Sequence, residues 1–191
     1  EQVLPNGGTF AGGRRGVLLL IAVVVIAPIL LYFNLGAIED VRIAEALEGM
    51  QDASPAEVQR LLSDIEERSA AKPGNVEYLS LLGEYYISTG RASEALENFE
   101  AILEEAPEAP DVLGRAAQAE FIVNGQTLNA RAQQRAERAL ASDPRQKSAL
   151  ATLAMGEFGQ GNYMEAIGYM RVLRDLEIPG SEAHELMKSA I

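Results

Sequence analysis

Residues 81–107 read LLGEYYISTGRASEALENFEAILEEAP, a stretch dense in alanine, leucine and glutamate. It nevertheless places Gly83, Gly90, Ala95 and Pro107 at set intervals. Inside a helix, glycine costs about 1 kcal/mol and proline about 3 kcal/mol relative to alanine, so their positions need a reason. Two antiparallel helices that cross closely supply one. Gly83 and Ala95 remove side-chain bulk at the crossing, while Leu82, Tyr86 and Phe99 fill the space around it. Gly90 makes the turn, and Pro107 ends the second helix because it cannot continue one.

The same spacing returns along the chain. With Gly83 at the eighth position of a 34-residue unit, Leu79, Leu82, Tyr86, Gly90, Ala95, Phe99 and Pro107 fall at positions 4, 7, 11, 15, 20, 24 and 32 of the tetratricopeptide (TPR) pattern. Leu79 stands where tryptophan is commonest. A second unit has Leu113, Ala116 and Ala117 at 4, 7 and 8, and Ala132, Ala136, Ala139 and Pro144 at 20, 24, 27 and 32. Its halves join in phase only if three residues are inserted within VNGQTLN (123–129). A third unit carries Leu150, Leu153, Ala154, Gly161, Tyr163, Ala166 and Met170 at 4, 7, 8, 15, 17, 20 and 24, and its Pro179 comes one place late. Ser54-Pro55-Ala56-Glu57 reads as a capping box that starts a half-unit, with Leu61 and Ile65 at 20 and 24. The segment 41–50 is either a short helix or a tether. The fold class expected is all-α: one transmembrane helix followed by a TPR helical-repeat solenoid. The domains are a tail at 1–15, a membrane helix at 16–38, a linker at 39–53 and a TPR domain at 54–191. Within that domain lie a half-repeat at 54–75, repeats near 76–109, 110–146 and 147–180, and a capping helix at 181–191.

The membrane assignment rests on GVLLLIAVVVIAPILLYFNLGAI (16–38), which carries no charge. As a helix it spans about 34 Å, enough for a hydrocarbon core of about 30 Å. Arg14 and Arg15 precede it and Glu39 and Asp40 follow it. Positive charge stays cytoplasmic, so residues 39–191 are expected in the periplasm of a Gram-negative bacterium, anchored in its inner membrane.

Composition narrows the chemistry. The 191 residues carry a net charge of −12 and no cysteine. The acidic balance argues against a nucleic-acid surface. The missing cysteines exclude disulfides, thiol nucleophiles and thiolate metal sites. His184 is the one histidine; it is read as a solvated residue beside Glu182 and Glu185, since one ligand is not a metal site. Glu66-Glu67 and Glu104-Glu105 are read as solvated faces, and Met155, Met164 and Met170 chiefly as packing. No catalytic residue, metal site or cofactor is expected, and the chain is read as no enzyme. A binding surface remains. First-helix positions 9 and 12 face the concave side of a TPR array and give Glu84 and Ile87, Gln118 and Phe121, and Met155 and Phe158. Together they form a candidate groove for an amphipathic helix, unless Phe121 and Phe158 pack between repeats.

Several features together carry a family resemblance. They are the apolar span, the half-repeat ending KPGN, the repeat at 81–107, and the inserted loop followed by ERALASDPRQKSALATLAMGEFGQGNYMEAI. Over about residues 15–180 the chain resembles the TPR subunit of the bacterial system I cytochrome c maturation machinery, the CcmI/CycH type. The resemblance implies a membrane-anchored chaperone that captures apocytochrome c by its C-terminal helix and delivers it to the haem ligation complex. An integral membrane haem-handling subunit and a thiol-reducing subunit would be its partners. It also implies that this chain holds the second of two membrane helices, with residues 1–15 the end of a cytoplasmic loop. The alternative is a general periplasmic TPR scaffold for envelope assembly or translocation.

Overall fold

The computed structural model describes residues 37–48 and 54–190. The span expected at 16–38 lies outside them except for Ala37 and Ile38, which begin a helix. Among the described residues no helix is long and apolar enough to cross a membrane, and none is in a strand. The chain divides into two compact units between Leu61 and Leu62. The first holds α1 (Ala37–Glu48) and the opening turns of α2 (Pro55–Ala71). Helix α1 occupies most of the stretch read as a linker. The capping box forms as expected: Ser54 N donates to Glu57 Oε2 at 2.7 Å, and Glu57 N donates to Ser54 Oγ at 3.4 Å.

The second unit is an all-helical, TPR-like solenoid. After the rest of α2 come three hairpins: α3 (Val76–Ser88) with α4 (Ala92–Glu105), α5 (Pro110–Val123) with α6 (Ala130–Ser142), and α7 (Lys147–Gly159) with α8 (Tyr163–Leu176). Helix α9 (Glu182–Ala190) follows and packs on α8. Asn75 opens α3 by accepting from Glu77 N and Tyr78 N at 3.0 and 3.2 Å, which satisfies two of the four donors that a helix start leaves free.

In the first hairpin the small residues do what their spacing requires. A Cβ placed on Gly83 would lie 2.6 Å from Phe99 Cζ, and Ala95 and Phe99 are wholly buried. The ring of Phe99 therefore rests directly on the α3 backbone. Gly90 takes φ +79° just past the end of α3, a left-handed conformation that costs other residues about 1–2 kcal/mol. Gly83→Ala is expected to lower stability by about 1–3 kcal/mol through overpacking, read as an earlier denaturant midpoint at unchanged slope. An unchanged midpoint would mean that the two helices have room to separate.

The inserted loop in the second hairpin is a structural element of its own. Gly125 and Gln126 both take positive φ, +64° and +60°, and turn the chain so that Leu128 enters the core, where it is 8% exposed. There it joins Leu113, Ala117, Phe121, Ala136 and Leu153. It also lies on α7, where a Cβ on Gly156 would sit 2.6 Å from Leu128 Cβ. Asn129 then starts α6 by accepting from Ala132 N at 2.7 Å. Three alanines of α6, Ala132, Ala136 and Ala139, are fully buried, so this helix contributes backbone rather than bulk to the interface and Leu128 and Phe121 fill what remains.

Candidate peptide-binding surface

Helices α3, α5 and α7 carry the six residues read from the repeat frame, and the structure treats them differently. Glu84 is exposed on α3 but not free, because Arg115 Nη1 of α5 lies 3.0 Å from its Oε1. Ile87 and Gln118 are half-buried. Met155 and Phe158 on α7 are 50% and 58% exposed. Phe121 is 3% exposed and belongs to the core. It is therefore buried rather than open to a groove, in the same core cluster as Leu128 of the inserted loop. The expected stripe of three apolar residues is interrupted at its centre, and its open part is Met155 with Phe158.

That open part extends beyond α7. Phe158 meets Tyr163 at the start of α8 edge-on, with ring centroids 5.3 Å apart. Tyr163 is 56% exposed and its neighbour Met164 75%. Met155 and Met164 are thus surface residues, a correction to their reading as packing. A flexible thioether beside an aromatic pair suits a partner whose apolar side chains must be accommodated rather than matched one for one.

Charged residues have more structure than the sequence shows. Glu120 on α5 is 3% exposed and accepts from Arg131 Nε at 2.7 Å, Arg135 Nη1 at 2.9 Å and Asn129 Nδ2 at 3.0 Å. Arg135 also reaches Glu100 Oε1 on α4 at 2.6 Å. This network ties three helices and the inserted loop together. The carboxylate beside it holds the Arg131 guanidinium above its ordinary pKa. Its sequence signal is faint: one glutamate within the buried positions of AQAEFIV, with arginines about a dozen residues on.

Glu66 is not simply solvated, as its acidic pair suggested. Its Oε1 accepts from Tyr86 Oη at 2.7 Å and lies 3.4 Å from Arg91 Nη1. Burial, with Glu66 adding to it, pushes the Tyr86 phenol up to about 12. His184 is likewise more enclosed than expected, its side chain 20% exposed, with Nδ1 lacking a hydrogen bond and lying 3.4 Å from Glu185 Oε1. Among the described residues, no group of three or more His, Asp or Glu side chains is placed to hold a metal ion.

Paired antiparallel helices, close-packed through small residues and stacked hairpin on hairpin, define a tetratricopeptide-repeat protein. The chain belongs to the family described as the cytochrome c-type biogenesis protein H TPR domain, whose model matches residues 42–183. It is 27% identical over 157 residues to the cytochrome c-type biogenesis protein CycH of Pseudomonas aeruginosa, covering 82% of this chain and 38% of that protein. The chain thus spans well under half of CycH. It is 29% identical over 139 residues to NrfG, a formate-dependent nitrite reductase complex subunit of Escherichia coli O157:H7, covering 73% of this chain and 70% of NrfG. The crystal structure of MamA has a similar fold, with a TM-score of 0.53 at 18% identity over 72% of this chain and 85% of that one.

Proposed function

We propose that this chain is a cytochrome c assembly subunit whose TPR domain binds apocytochrome c through its C-terminal helix and passes it to the haem ligation complex. The supporting observation is family membership over residues 42–183. The exposed Met155, Phe158, Tyr163 and Met164 offer a surface on which the apolar side of an amphipathic helix could be laid. The uncharged segment 16–38 supports an inner-membrane anchor with the TPR domain in the periplasm. The integral haem-handling subunit and a thiol-reducing subunit are the partners this role calls for. The role is one of holding and delivery without a catalytic step.

The test uses the full 191-residue chain in detergent micelles and a peptide matching the C-terminal helix of an apocytochrome c. The double variant Met155→Ala with Phe158→Ala is expected to bind about tenfold or more weakly, the scale on which interface anchors act, with helicity and melting temperature unchanged. Undiminished binding by the variant removes this face from the site. No binding by the parent chain, with normal cytochrome c levels in a deletion strain, would overturn the function itself.

A further inference from the structure

An open cleft of about 410 Å³ lies between α2 and α4, with Leu79 and Leu82 of α3 among its lining residues. Its meaning comes from comparing the three hairpins at corresponding repeat positions. In each, the region between successive second helices is set by three residues: position 25 of the preceding second helix, position 11 of the first helix, and position 23 of the hairpin's own second helix. In the second hairpin these are Glu100, Glu120 and Arg135. Arg135 is only 14% exposed and bonds both carboxylates, at 2.6 and 2.9 Å. In the third they are Glu137, Glu157 and Tyr169. The Tyr169 side chain packs against the core, close enough to both glutamates for each to act on its phenol.

The first hairpin has Glu66, Tyr86 and Asn98. Asparagine is too short to do what Arg135 and Tyr169 do. Its Nδ2 is buried and makes no hydrogen bond, and the space its counterparts occupy stands open. Arg91 closes one end only. It lies over the Tyr86 ring, 4.0 Å from the centroid, is 45% exposed, and is shared between Glu66 and Glu94. Both bonds to Glu66 fall on Oε1, and no described residue bonds Oε2. The cleft therefore combines an apolar lining with a carboxylate oxygen still able to accept.

From this repetition we infer that the α2–α4 cleft receives an arginine side chain of a partner protein, which takes in trans the place that Arg135 takes within the chain in the next hairpin. The guanidinium would bond Glu66 Oε2, and its stem would lie along the exposed Ala70, Pro73 and Ala101 of the same lining. A planar, weakly hydrated cation suits such a half-enclosed carboxylate better than an ammonium. The net charge of −12 favours the approach of a basic segment. The cleft is distinct from the Met155–Phe158 face, so its occupant need not be the peptide held there.

The probe is acetyl-Gly-Arg-Gly-amide, titrated into the ¹⁵N-labelled 191-residue chain in detergent micelles, with the uncharged citrulline peptide as control. A saturable shift of the Leu82 and Ala101 backbone amides, both lining the cleft, is expected with the arginine peptide, at least fivefold weaker with citrulline and in Glu66→Gln. Asn98→Arg should fill its own cleft, abolish the response, and raise the melting temperature by about 2–4 °C. Equal responses to arginine and citrulline, or no saturable response in the parent chain, would overturn the assignment. If Asn98→Arg does not fold, the Glu66→Gln comparison decides alone.

Discussion

Phe121→Ala is expected to destabilise the chain by about 3–5 kcal/mol, the range for emptying a filled aromatic site, although position 12 of its repeat nominally faces the groove. The ring is 3% exposed and shares one buried cluster with Leu128, Leu113, Ala117 and Leu153. None of these can collapse easily into the void, because the neighbouring positions on α6 are alanines that have no further side chain to offer. Phe158→Ala at the same repeat position on α7 is the control. With 58% of its surface exposed it should change stability by no more than about 0.5 kcal/mol, while weakening peptide binding. Denaturant melts of the two variants side by side decide the matter. Similar midpoints would show that Phe121 is not held in that cluster.

Removing the Glu120 carboxylate should have an effect of comparable size for a different reason. Glu120→Ala leaves Arg135, 14% exposed, with one carboxylate in place of two, and strips Asn129 of its side-chain acceptor at the start of α6. Breaking a buried pair by removing one partner costs about 3–5 kcal/mol, because the remaining charge stays desolvated. Glu100 still holds Arg135, which places the expectation at the lower end, about 3 kcal/mol. Arg131→Ala should cost under about 1 kcal/mol, since Arg131 is 57% exposed and water replaces its contact. Replacing both ends, Glu120→Met with Arg135→Leu, should recover most of the loss. If the double replacement melts as early as Glu120→Ala, packing rather than unpaired charge governs the site.

What was legible in the sequence was local. The Gly83–Phe99 contact and the turn at Gly90 sit within one 34-residue unit, where spacing alone dictates which side chains meet. The Ser54–Glu57 box is shorter still. Exposure at position 12 met the repeat-frame expectation only at α7, because it depends on what packs against that position. Phe121 is buried in a cluster that includes Leu128, a leucine from the insertion that has no place in the repeat frame. Glu120 was missed because its partners, Asn129, Arg131 and Arg135, lie on the far side of that insertion. The cleft at Asn98 was invisible to periodicity for another reason. Position 23 holds Asn, Arg and Tyr in turn, and only the length of each side chain across three helices shows which space is filled.

Leu128 has a consequence for how the molecule comes apart. In an ideal array each hairpin gains or loses order in partnership with its neighbours alone, and the ends can fray without disturbing the middle. Here one loop side chain is wedged among the α5–α6 hairpin and against Gly156 of the next. Lifting α7 away uncovers Leu128, and with it Phe121, so the last two hairpins form a single cooperative block.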